Sequence, residues 1–132
     1  MSTDKKQLKG FGSNAIHAGH ETEGKGAPLT PIYASSTFVY ETAEQGMRRF
    51  NGEEKGYIYS RWGNPGMTEI ENKIAALESF QLSNEHIQLK ARVHASEMAA
   101  INTLMLGNLK SGDKIISHFS LYGGTQELMN KV

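Results

Sequence analysis

Six residues of this 132-residue chain are of types that handle a flat, phosphorylated ligand: Tyr59, Arg61, Ser96, Glu97, Met98 and Tyr122. Arg61 offers a planar guanidinium fork that matches a phosphate through paired hydrogen bonds, and Tyr59, two residues earlier, adds a neutral donor. Ser96 closes an alternating stretch and opens a helically periodic one. The amides of Glu97 and Met98 then fall at a helix N-terminus, where unpaired N–H groups and the helix dipole favour an anion. Tyr122, ahead of Gly123-Gly124-Thr125, presents an aromatic face on which a flat ring can stack. Each residue also has a plainer reading. Ser is a common N-cap, a Tyr-x-Tyr-Ser-Arg run suits an exposed edge with snorkelling side chains, and a lone Tyr before two glycines is commonly a turn residue. The residues alone leave both readings open.

The elements that must position these groups are legible in the second half of the chain. Asn64 suits an N-cap and Pro65 the first helical position. Met67, Ile70, Ile74 and Leu77 then recur at helical spacing, which predicts an amphipathic helix over 65–79. Gln88–Ala95 alternates, with Leu89, Ala91, Val93 and Ala95 on one face, and predicts a strand. Ser96 caps a second helix carrying Met98, Ile101, Leu104 and Met105, which ends near Gly107. Lys114–Phe119 predicts a short strand after a Ser-Gly-Asp turn, and Thr125 is placed to cap a third helix. This rhythm is that of an α/β fold with a parallel sheet. Residues 1–56 hold most of the glycine and proline loop signals, and a brief helix is expected from about Thr42 to Phe50. The region reads as an extended arm that buries little against itself and needs a partner surface.

Composition excludes several classes. Fourteen basic and fourteen acidic residues leave a formal charge of zero, which offers no footprint for nucleic acid or an anionic membrane. There is no cysteine, hence no disulfide framework or thiolate site. The polar start, Met1 to Lys9, resembles no signal peptide, and no apolar run approaches a membrane span, so a cytoplasmic protein is expected. Gly19, Gly24 and Lys25 nearly spell a phosphate-binding loop, but Gly26 stands where the hydroxyl residue belongs, and Pro28 and Pro31 forbid an immediate helix. His17 and His20 read as an ordinary surface pair, lacking an acidic partner on a firm helix.

The run Tyr57-Ile58-Tyr59-Ser60-Arg61-Trp62-Gly63-Asn64-Pro65, taken with Ser96-Glu97-Met98-Ala99-Ala100 and Leu121-Tyr122-Gly123-Gly124, closely resembles the trans-sulfuration family. These are the pyridoxal-phosphate enzymes of cysteine and methionine metabolism. Asn14–Gly19 and Pro31–Phe38 resemble the family's N-terminal arm, so the likeness covers almost the whole chain, Phe80–Ala91 excepted. It implies the N-terminal part of a fold-type I α/β transferase: residues 1–61 as an arm for intersubunit contacts and 62–132 as the start of the large cofactor-binding domain. It also implies that Tyr59 and Arg61 reach the cofactor phosphate of a neighbouring subunit. It implies, too, that the backbone at Glu97 and Met98 binds phosphate beside Ser96, and that Tyr122 stacks on the pyridine ring and assists the leaving group.

The family carries glycine where Glu97 stands. Two like charges ~4 Å apart repel by ~4 kcal/mol at an effective dielectric near 20, so Glu97 is expected to weaken phosphate binding unless it points to solvent. Gly124, where methionine γ-lyases often carry cysteine, leans toward the synthase or sulfhydrylase branches. The resemblance implies γ-replacement or γ-elimination on homoserine derivatives, cystathionine or methionine, with pyridoxal 5'-phosphate as cofactor and a homo-oligomer, tetrameric in the intact family. No lysine among the 132 residues matches the family's Schiff-base position, Lys90, Lys110 and Lys114 included. The alternative is therefore a non-catalytic module that at most docks on full-length relatives.

Overall fold

A computed structural model describes residues 9–20, 27–82 and 88–131. Among these residues the chain forms five helices: α1 (Phe11–His17), α2 (Ala43–Phe50), α3 (Pro65–Glu78), α4 (Glu97–Asn108) and α5 (Gly123–Lys131). They belong to two compact units, residues 1–91 and 92–132.

The first unit is built on α3. Asn64 caps it as the sequence predicts, its side chain accepting from the Gly66 amide at 3.0 Å with Pro65 opening the helix. What covers α3 differs from the expectation. Ile70 and Ile74 of the predicted apolar stripe remain exposed. Helix α1 packs instead over the Glu69–Lys73 stretch and brings order to the arm that its sequence did not signal. The two helices run antiparallel: Phe11 at the start of α1 meets Phe80, just past the end of α3, edge to face at 5.5 Å. At the other end the chain leaves α1 through Gly19 with φ +81°, and a side chain there would stand 2.6 Å from the Glu69 carbonyl. Only glycine fits so close an approach in that conformation.

Helix α2 forms where the brief helix was expected. Thr42 caps it by accepting from the Gln45 amide, and Gln45 Oε1 accepts from the Glu41 amide, which closes a reciprocal cap. On either side of it in the chain, residues 35–38 and 58–60 run antiparallel past each other. Phe38 donates to Ile58 at 3.2 Å, Ser60 donates to Ser36 at 2.9 Å, and Thr37 and Tyr59 form a single bridge.

In the second unit α4 starts at the predicted Ser96 cap and passes through Gly107 to Asn108. Helix α5 corrects a boundary: it begins at Gly123, so Thr125 lies inside it, buried, rather than capping it. Over 88–95 and 114–119, where strands were expected, the described residues form no strand, because a strand needs a ladder with a neighbouring segment. In the second of these segments Ile116 and Phe119 stand in the open, at 98% and 88% exposure. No apolar side chain among the described residues is fully buried. The near phosphate-loop run ending at Gly26 and residues 83–87 of the unmatched segment lie outside the described residues.

Candidate functional site

The candidate site residues fall into two groups, one in each unit. In the first unit the crossing of 35–38 with 58–60 holds Tyr59 and Arg61. The Ser60 hydroxyl donates to the Ser35 carbonyl, and Asn64 Nδ2 donates to the Tyr33 carbonyl at 3.0 Å. The Tyr59 carbonyl then accepts from the Trp62 and Gly63 amides at 2.8 and 3.1 Å, which turns the chain sharply through Arg61. The Arg61 guanidinium carbon lies over the Tyr59 ring, 5.3 Å from its centre. Such stacking leaves the edge of the guanidinium fork, with its N–H donors, open to an anion. The pair borders a groove walled by Phe38, Tyr40, Phe50, Ile58 and Trp62, in which Phe50 and Trp62 meet edge to face at 5.5 Å.

Upstream, a single carboxylate organises the approach to this turn. Glu54 accepts from Arg48 at 2.9 and 3.1 Å, from Arg49 at 3.3 Å and from Gln45 at 3.0 Å. The hydrogen bond from Arg48 is the main reason its carboxyl stays below the usual carboxylate range. Arg49 also lies over the Tyr40 ring, and Gly56 makes room for it: a side chain at 56 would sit 2.4 Å from the Arg49 Nε. Two arginines are thus committed to Glu54. Arg61 has no carboxylate partner among the described residues, which leaves its charge available to a ligand.

The second group surrounds the start of α4. Ser96 uses its hydroxyl on the Ala99 amide at 3.1 Å and its carbonyl on the Ala100 amide at 3.1 Å. The amides of Glu97 and Met98 keep no partner among the described residues, the arrangement in which a helix start receives an anion. Glu97 is exposed and forms no ion pair among the described residues. Tyr122 reaches this end of α4 through Gly124. A side chain built at Gly124 would meet the Tyr122 ring at 2.8 Å and the Met98 sulfur at 3.2 Å, so both side chains close on the bare backbone there. Thr125 lies beneath, its hydroxyl 3.9 Å from the same sulfur. Tyr122 keeps 65% of its surface exposed, which leaves a ring face free.

The structure therefore brings Met98 and Tyr122 together at the start of α4, and Tyr59 with Arg61 on one turn. Sequence reasoning missed the roles of Thr125 and Glu54. A buried hydroxyl beneath a thioether has no spacing signature, and Glu54 became visible only once α2 placed Gln45, Arg48 and Arg49 around it. The expectation of a surface histidine pair also needs correction. His20 is largely buried and has an acidic partner on α3: its Nε2 lies 3.0 Å from Glu69 Oε1. Its ring meets that of His17 edge to face at 6.1 Å. Among the described residues no three acidic, histidine or cysteine side chains gather as a metal site, and no helix is long and apolar enough to cross a membrane.

Comparison with known proteins shows what the chain resembles. The profile of the Cys/Met metabolism PLP-dependent enzyme family matches residues 12–132. An L-methionine gamma-lyase of Fusobacterium nucleatum subsp. nucleatum is 46% identical over 121 residues, which cover 92% of this chain and 29% of that protein. A probable cystathionine gamma-synthase of Herpetosiphon aurantiacus is 40% identical over 93% of this chain and 34% of its own length. The structure of a putative O-acetylhomoserine (thiol)-lyase from Campylobacter jejuni, solved with a pyridoxyl-lysine phosphate, superposes with a TM-score of 0.80 at 27% identity, over 94% of this chain and 29% of that one. The chain thus spans about a third of the length of these relatives. Its fold is the N-terminal part of the fold-type I α/β architecture, of which the described residues carry the helices.

Proposed function

This chain belongs to the Cys/Met metabolism PLP-dependent enzyme family, and from there we propose that its residues supply the phosphate contacts and the ring-stacking tyrosine of a trans-sulfuration enzyme. That enzyme carries out γ-replacement or γ-elimination on homoserine derivatives, cystathionine or methionine. The observation that carries the reading is the start of α4, where Ser96 satisfies only Ala99 and Ala100 and leaves two amides for a phosphate. The residues fit the cofactor they would hold: two open amides and the uncommitted Arg61 for its phosphate, and an exposed tyrosine face for its ring.

When bound, pyridoxal phosphate supplies an electron sink for charge that develops on the substrate carbon. The chain's own residues do the positioning. The amides of Glu97 and Met98 would hold the phosphate without a side chain to reorient, and Arg61 would neutralise the charge of a neighbouring subunit's phosphate. Tyr59 holds the Arg61 fork flat by stacking. Tyr122, set by Gly124, would stack its open face on the ring, and its phenol could hold a proton for a leaving group. In this proposal Arg61 and Tyr59 serve a neighbouring subunit's site within a cytoplasmic homotetramer. The exposed aromatic groove beside Arg61 supports such an assembly, since Trp62 is 63% exposed in the single chain.

The test compares pyridoxal phosphate with unphosphorylated pyridoxal by equilibrium dialysis. Tighter binding of the phosphorylated form, with the preference lost in Arg61→Ala and reduced in Ser96→Ala, is the expected result. Equal binding of the two ligands overturns the assignment.

A further inference from the structure

The polar contact between the end of α1 and the middle of α3 is not used by any phosphate or ring contact. It is built from groups that change charge. His20 and Glu69 face each other at 3.0 Å with side chains only 13% and 14% exposed. Lys73, one turn along α3, approaches the same Glu69 oxygen at 3.4 Å, and the Thr30 hydroxyl stands buried beside this carboxyl without an aligned partner. From α1 the exposed His17 ring meets His20 edge to face. The backbone brings His20 in through Gly19, which lies too close to α3 to carry a side chain.

We propose that His20 and Glu69 form a proton-dependent latch that ties the first helix of the arm to α3. With the imidazole charged, the contact is an ion pair shielded from water. With it neutral, a buried carboxylate keeps Lys73 and Thr30 but loses its attraction to the arm. The Nε2 approach lies outside hydrogen-bond alignment, so charge rather than a directed bond sets its strength. Imidazole is the side chain whose charge ordinarily changes between pH 5 and 8, so the latch loosens as pH rises through that window. At the acid end Glu69 keeps its charge below the usual carboxylate range, held first by Thr30 and then by Lys73 and His20, against the opposing effect of burial. His17, whose ring meets that of His20 edge to face, is exposed to solvent.

Hydrogen exchange of the α1 amides on the full chain tests this, with rates corrected for the intrinsic effect of pH. Protection of residues 14–18 should fall about tenfold between pH 5.5 and pH 8, the scale on which a charge-assisted contact exceeds a neutral one. His20→Gln and Glu69→Gln should each flatten the dependence, and His17→Gln should leave it in place. A pH-independent protection in the unaltered chain overturns the latch. So does a dependence that survives in His20→Gln or disappears only in His17→Gln. Should His20→Gln lose α1 protection at every pH, Glu69→Gln decides: a dependence retained there also overturns it.

Discussion

The two units hold their functional residues by different means. In the first, side chains bind backbone and one another over long stretches of sequence. Asn64 reaches Tyr33, Ser60 reaches Ser35, Glu54 gathers Gln45, Arg48 and Arg49, and His20 meets Glu69. In the second, α4 and α5 touch around Met98, Gly124 and Thr125, while Leu104, Leu106, Ile116 and Phe119 stand exposed. A polar framework satisfies its own donors and acceptors locally and so positions Arg61 without a large core. An apolar layer gains its stability only from burial, so the surroundings of Tyr122 depend on whatever covers those faces. The contrast predicts that single polar substitutions will damage the first unit's contribution most, and that changes around α4 will show smaller, steric or electrostatic effects.

The largest effect is expected at Arg61. Arg61→Ala should weaken pyridoxal phosphate binding by about 10- to 100-fold, the scale of a charge-assisted contact, and leave unphosphorylated pyridoxal nearly unchanged. Arg61→Lys should recover only part of the loss, since an ammonium lacks the planar fork. An Arg61→Ala protein with undiminished affinity would mean that the second unit holds the phosphate alone.

Asn64→Ala comes next. It removes the cap on the Gly66 amide and the bond to the Tyr33 carbonyl together. A loss of ~1–2 kcal/mol in stability is expected from the cap, read as a lower urea midpoint. The signal should come from Trp62, close after the turn at Tyr59. Ser96→Ala, the matching cap in the second unit, should cost a similar amount in α4 while leaving Trp62 emission unaffected. A shift of Trp62 in Ser96→Ala would erase the distinction between the units.

Glu97→Gly should tighten phosphate binding by about three- to tenfold at low salt, and by less as salt screens the charge. The exposed carboxylate gains something from the helix dipole, so the same change should slightly weaken α4 itself. Identical affinities would place the Glu97 carboxylate away from the anion, as its exposure allows.

Helix positions were legible because their signals are local. Asn64-Pro65, Thr42 and Ser96 announce their helices, and Met67, Ile70, Ile74 and Leu77 give the period of α3. What those helices pack against was not legible. The apolar stripe of α3 correctly marks a helix, yet α1 sits over Glu69 and Lys73, a contact of charges and a bare glycine that no hydrophobic pattern encodes. The alternation over 88–95 predicts a strand that the described residues do not form, since a ladder is a property of two segments and cannot be read from one. At the candidate site, residue identities followed from the family's motifs. Gly124 stood in one of those motifs, but what it does became legible only in the structure: it leaves the space into which Tyr122 and Met98 close.

The smallest effect expected is a response to acid confined to the first unit. Glu54, Glu69 and Glu44 all have carboxyls held below their ordinary value of 4.5. The leading causes are the Arg48 hydrogen bond, the Thr30 hydroxyl and a backbone amide of the first turn of α2 respectively. A carboxyl whose folded pKa is depressed contributes stability that is complete above its unfolded pKa and is lost as pH falls through the folded one. The first unit should therefore loosen progressively below about pH 4.5. The loss should first expose α2 and the Glu54 centre, since that carboxylate keeps part of its surface in water and its bonds to arginine are screened by salt. Glu54→Gln should lessen the acid response, because an amide does not titrate, while freeing Arg48 and Arg49 at every pH. Amide exchange at pH 3.5 and 6 separates the two units. Acid-induced exchange concentrated in residues 43–61 fits the polar framework, whereas an equal rise in residues 97–131 would show that the first unit's charges do not govern its acid stability.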